Sequence, residues 1–257
     1  QKFLVALSEF NEMTQRATFS ATSSSGWNRR GWRWRWIQQA EANALNNFQG
    51  EINAETTTVS ANATSSGWWW WGGKSAAATG IKNSYLKING HTLNIDANAN
   101  SRRNAAHATG ISNSQITFNG SVVNILSNAR GLEAYSIGLD QSSLNLSGND
   151  NKLININAIS RVTGYDPAWG LRRSKISTNA GNDVVRISAD AGAAGWRIVG
   201  GAIEARGIEE STISTGAGND FLDIRSVASG GINTKAFGAQ ESLISLGDGD
   251  DTIRISA

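Results

Sequence analysis

One short unit occurs three times between Ser174 and Ala257. It reads SKISTNAGNDVVRIS, STISTGAGNDFLDIR and SLISLGDGDDTIRIS, opening at Ser174, Ser211 and Ser242. Each copy is an alternating apolar run, a turn of Gly, Asn and Asp, and a second alternating run. The apolar residues keep phase: Ile176, Val185 and Ile187; Ile213, Leu222 and Ile224; Ile244, Ile253 and Ile255. Alternation with a period of two sends one set of side chains to each face of an extended chain, which is the pattern of a strand. A unit that returns every few tens of residues cannot bury its apolar face alone and must stack on its neighbours, as in a solenoid.

Earlier segments carry the same phase. SYLKINGHTLNIDANA opens at Ser84, SQITFNGSVVNILSNA at Ser114 and SSLNLSGNDNKLININA at Ser142, so the opening serines from Ser84 to Ser242 are separated by 30, 28, 32, 37 and 31 residues. Weaker openings near Thr18 and Phe48, in FSATSSSG and INAETTTVSANAT, extend the series to seven or eight coils. Two core columns are expected. Leu86, Ile116, Leu144, Ile176, Ile213 and Ile244 form one, and Ile95, Ile125, Ile156, Ile187, Ile224 and Ile255 form the other. Equivalent residues lie roughly 4.8 Å apart in such a stack. Asn94, Asn124 and Asn155 are expected outside, hydrogen-bonded in a ladder from coil to coil.

A coil of about 31 residues is too long for two strands and one turn. A second motif (AATGIKN, HATGISN, YSIGLDQ, AWGLRR, EARGIEE, KAFGAQE) precedes each opening serine and predicts a third strand closing a triangular cross-section. Variable loops then fall between the second strand and this motif. Asn89-Gly90 and Asn119-Gly120 are expected to turn between the first two strands at positive φ. Residues 1–16 are expected to form a capping helix, since Phe3, Leu7 and Phe10 share one helical face, and open solenoid ends are normally covered. The expected fold is all-β, a right-handed parallel β-solenoid over residues 17–257 as a single domain.

Composition agrees and excludes several classes. Gly is abundant at 28, Pro occurs once, and 23 Lys+Arg against 21 Asp+Glu provide no bulk attraction for nucleic acid. With no cysteine a disulfide scaffold is excluded, whereas a reducing compartment and a bacterial surface both fit. No apolar run is long enough to span a bilayer. The first residues, QKFLVALSEFNEMTQ, are not an intact signal peptide.

TGAGNDFLD, LGDGDDTIR and, less closely, TNAGNDVVR resemble the nonapeptide of the RTX, or hemolysin-type calcium-binding, family, over residues 174–257. The resemblance implies calcium held between stacked turns by carbonyls and a carboxylate, with Asp183, Asp220 and Asp251 at the acid position and Gly181, Gly218 and Gly249 at the second glycine. The chain departs from the family at Thr178, Thr215 and Leu246, where the first glycine stands, at Asn179, and in having one such turn per coil. Ordinary Gly-Asx corners held by side-chain hydrogen bonds are the alternative.

Tryptophan is concentrated in GWNRRGWRWRWIQQ and SGWWWWGGK. Trp32, Trp34 and Trp36 alternate with Arg33 and Arg35, and Trp68, Trp69, Trp70 and Trp71 run consecutively. Trp169 and Trp196 are assigned to equivalent loops. Such a surface suits a subunit interface, a platform for sugar rings, or packing on the solenoid. His91 and His107 lack metal-ligand spacing, no phosphate loop or nucleophile motif occurs, and Glu204, Glu209, Glu210 and Asp223 have no catalytic spacing. An ice-binding threonine array is met only once, at Thr56 to Thr58. The expected function is therefore that of an extracellular or cell-surface structural protein without enzymatic activity, self-assembling into a filament or layer, with calcium as the candidate cofactor. The last repeat, ending at TIRISA without a cap, supports end-to-end stacking. A glycan-binding adhesin and a polysaccharide-cleaving enzyme are the alternatives.

Overall fold

The computed structural model describes residues 14–25, 39–66, 75–102, 104–162, 166–193 and 202–257. These form parallel strands arranged as three walls, visited in the same order on each turn of the chain. The first wall pairs the start of Gln49–Ser65 with Tyr85–Asn89, Gln115–Asn119, Ser143–Leu146, Lys175–Ser177, Thr212–Ser214 and Leu243–Ser245. The second runs from Thr14–Ser25 through the rest of Gln49–Ser65, Thr92–Ser101, Val122–Gly131, Leu153–Val162, Val184–Ala193 and Phe221–Ser229 to Thr252–Ser256. The third joins Ala40–Asn46, Ala76–Lys82, Ala106–Ser112, Ala134–Asp140, Asp166–Arg172, Ala202–Glu209 and Asn233–Gln240. The glycine-containing motif before each opening serine is this third wall.

Both expected core columns align. Leu86 lies beside Ile116, then Leu144, Ile176, Ile213 and Ile244. Ile95 begins the second series, which runs through Ile125, Ile156, Ile187 and Ile224 to Ile255. Outside, Asn124 Nδ2 donates to Asn94 Oδ1 and Asn155 Nδ2 to Asn124 Oδ1, each at 2.9 Å.

The interior divides by side-chain size. Large aliphatic residues fill the space between the first wall, the first half of the second and the end of the third, where Ile81, Ile111, Leu139, Leu171 and Ile208 stack. Toward the other corner the second and third walls converge on alanine: Ala97, Ala99 and Ala129 face Ala76, Ala78, Ala106 and Ala108. Small side chains let two sheets approach, and buried serines stitch them. Ser127 Oγ donates to the Ile137 carbonyl and Ser136 Oγ to the Ser127 carbonyl, both at 2.7 Å.

The opening serines prove to be corner fasteners. Ser174 Oγ donates to the Arg172 carbonyl at 2.8 Å and accepts from the Ser142 amide at 3.2 Å; Ser84, Ser114, Ser142, Ser211 and Ser242 repeat the arrangement. Phe48 takes the serine position in its coil and donates its amide to Ser84 Oγ. Ser174→Ala should therefore leave the buried Ser142 amide without its acceptor and lower stability by about 1 kcal/mol, read by urea denaturation.

Three expectations are corrected. Thr14, Gln15 and Arg16 lie in a strand, with Thr14 beside Ala54 and Arg16 beside Thr56, because the open edge of the second wall offers ladder bonds that a helix would forgo; the rest of the proposed helix lies outside the described residues. Thr18 opens no coil but sits within the second wall, beside Thr58. Gly90 and Gly120 do not have positive φ. They are glycine because a Cβ would stand 1.9 Å from the Ala54 carbonyl oxygen and 2.3 Å from that of Gly90.

Candidate functional site

The Gly-Asx corners join the first and second walls in the later coils. Gly181, Gly218 and Gly249 have φ of 127, 137 and 149°, a region that favours glycine. The turns stack, with Ala217 bridged to Ala180 on one side and Asp248 on the other.

Two side-chain ladders of opposite direction hold the stack. In one, Asn182, Asn219 and Asp250 donate their amides to Oδ1 of Asn151, Asn182 and Asn219 at 2.8, 2.9 and 2.9 Å. In the other, Lys152, Asp183 and Asp220 donate theirs to Oδ1 of Asp183, Asp220 and Asp251, at 2.8, 2.8 and 2.9 Å. The structure thus brings the three predicted aspartates into one column. It adds Asn151, Asn182 and Asn219, which sequence reasoning missed, although the aligned pairs Asn151-Lys152, Asn182-Asp183 and Asn219-Asp220 carry the signal.

The aspartate column is dry. Asp183 and Asp220 are 0% and 2% exposed, and Oδ2 of each is buried without a hydrogen-bond partner. Burial pushes the Asp183 carboxyl above its ordinary value of 3.8, reinforced by the Asp220 charge; the Thr178 hydroxyl, the Lys152 amide and the Lys152 charge pull the other way. Thr178 is itself committed, donating Oγ1 to the Thr215 carbonyl at 2.6 Å, as Thr215 does to Leu246 at 3.0 Å. The departures from glycine at these two positions are therefore buried threonines that fasten successive coils.

This donor set does not fit a calcium ion. Calcium takes roughly six to eight oxygens. Here each Oδ1 is spent on an amide, the neighbouring coil places the cation Lys152 in the same column, and among the described residues no three acids or histidines converge.

Of the predicted aromatic surface, Trp32, Trp34, Trp36, Trp68, Trp69, Trp70 and Trp71 lie outside the described residues, as does Trp196. Trp169 is not in a loop but in the third wall. Its ring is stacked near Tyr135 at 6.4 Å, with the Arg172 guanidinium 5.0 Å from its centroid, and its Nε1 donates to Glu209 Oε2 at 2.8 Å. Tyr135 stacks in turn on His107 at 4.8 Å, where burial lowers the His107 pKa. Arg172 grips Asp140 through two hydrogen bonds of 2.8 and 2.9 Å. Glu204 and Glu209 are both paired with Arg206, and Asp223 sits in register between Arg186 and Arg254. Glu204 and Glu209 serve ion pairs, and His91 is an exposed residue of the turn between the first and second walls.

At the last coil the second-wall residues Ile253 and Ile255 are 50% and 47% exposed. At the other end Ala17 and Phe19 occupy the same second-wall columns.

No protein-family model matches the chain, and comparisons with characterised proteins and with solved structures return no match. The strand order fits a parallel β-helix, and no helix among the described residues is long and apolar enough to cross a membrane.

Proposed function

We propose that this chain is a structural β-solenoid subunit that stacks end to end into a filament or layer outside the cell or on a bacterial surface. It is read as right-handed, the hand that parallel crossovers almost always take, and as seven to eight coils. The observation that carries the reading is the continuity of the three walls, whose columns keep like residues in register from coil to coil and so accept a further coil of the same kind at either edge. A second copy placed head to tail sets each wall edge against its counterpart, so open ladder bonds and uncovered aliphatic residues are satisfied together. The contact is heterologous and does not close, which yields an open polymer.

Calcium has no structural part in this reading, because the Asx ladders already hold successive corners together through their Oδ1 atoms. Light scattering and electron micrographs of the purified protein should show growth with concentration, unchanged by EGTA. Ile253→Lys combined with Ile255→Lys should hold it monomeric. A monodisperse monomer at high concentration would sink the proposal, and polymers that dissolve on chelation would restore calcium to it.

A further inference from the structure

We infer that the corner between the third and first walls is a binding groove for a linear oligosaccharide lying along the stacking axis. A shallow, open cleft follows this corner from Asn47 to Thr212. It crosses five strand spacings, about 24 Å. Its shape therefore suits an extended polymer, and one coil spacing is comparable to one pyranose of such a chain.

The lining has the chemistry of sugar recognition. Asn83, Asn113, Gln141 and Gln115 offer amides that both donate and accept, as hydroxyl groups require. Asn113 Nδ2 donates to Asn83 Oδ1 at 2.9 Å, so part of the array is ordered in advance. Tyr85 stands 57% exposed on the rim and supplies a ring for a sugar face. Arg173 and Lys175 lie toward one end beside Glu210, which pairs with Arg173 at 3.8 Å, so Lys175 is the cation left there for a carboxylated sugar.

Backbone strain points to the same side chains. Asn47, Asn83, Asn113, Gln141, Arg173 and Glu210 all have φ between 45 and 54°. Glycine would adopt this conformation freely, yet each of these positions carries a polar side chain that lines the cleft. A peptide adding as a strand is disfavoured because the corner amides are already engaged: Asn83 with the Ser112 carbonyl, Ser84 with Ser114 Oγ, and Tyr85 with the Phe48 carbonyl.

Isothermal titration with cellohexaose and with a galacturonate hexamer tests the groove and tells a neutral chain from an acidic one. One of the two should bind, and Tyr85→Ala should weaken it at least about tenfold. Gln141→Gly should weaken binding while leaving the melting temperature equal or higher, since glycine removes the side chain and the strain together. Lys175→Ala should act most on the galacturonate hexamer if that is the ligand. The inference is overturned if neither sugar binds at millimolar concentration or if binding survives both Tyr85→Ala and Gln141→Gly. A drop in melting temperature with Gln141→Gly, which would make the side chain structural, overturns it too, as does displacement of the sugar by an unrelated hexapeptide. The groove lies on the flank of the stack, so these outcomes are independent of polymer growth at its ends.

Discussion

Gly170→Ala should destabilise the protein by about 3 kcal/mol, toward the upper end of what one inserted methyl costs a packed core. A Cβ at this position would stand 2.2 Å from Ile187 Cγ2 and 2.4 Å from the Gly207 carbonyl oxygen. The carbonyl belongs to the next coil and is held by the third-wall ladder, so it cannot withdraw without breaking strand pairing. The same two contacts recur at Gly80, Gly110, Gly138 and Gly207, each against a second-wall isoleucine and the carbonyl of the next glycine, while Gly238 meets Ile255 alone at close range. The first coil shows the compensation: Ala44 stands at the glycine position, and Val59 replaces isoleucine. Urea denaturation of Gly170→Ala, Ile187→Ala and the double variant checks this. The double variant should lose less than the sum of the singles, because the shortened Ile187 makes room while the carbonyl contact persists. Additive losses would mean that the glycine column is not shaped by the isoleucines.

Asp183 should show opposite effects on shortening and on neutralisation. Asp183→Ala removes the acceptor of the buried Lys152 amide and should cost about 1–3 kcal/mol. Asp183→Asn keeps that acceptor and removes a charge that burial disfavours, so it should be at least as stable as the parent at neutral pH. The sign follows from linkage: a carboxyl raised in the folded state contributes stability below its unfolded value of 3.8, and that contribution is lost as pH rises through the folded value. The advantage of Asp183→Asn should therefore widen as pH rises across that window. Measuring chemical stability of both variants from pH 3 upward decides the matter. An Asp183→Asn variant that is less stable at neutral pH, and whose deficit disappears with EGTA, would show that the column holds a cation after all.

The two core columns were legible because stacking forces like residues into register: a solenoid that misplaces one aliphatic per coil opens a cavity in every coil. Asn94, Asn124 and Asn155 were legible for the same reason, since their phase set them outside. The start of the first strand, at Thr14 to Arg16, was not, because local helical spacing at Phe3, Leu7 and Phe10 says nothing of a ladder partner 40 residues away at Ala54 to Thr56. Trp169 falls within the AWGLRR motif that predicts the third strand, and pairing with Ile137 and Arg206 fixes it on that wall and not in the loop.

Repetition in the chain by itself determined that these residues wind and stack, because side chains of fixed phase have one way to cover their apolar faces. What each corner does was decided only by the neighbouring coil. Whether an aspartate holds a metal or an amide, whether a glycine serves a turn or a close approach, and whether a serine merely opens a repeat or fastens it all depend on atoms about thirty residues distant. Those atoms arrive at hydrogen-bonding range only when the stack closes.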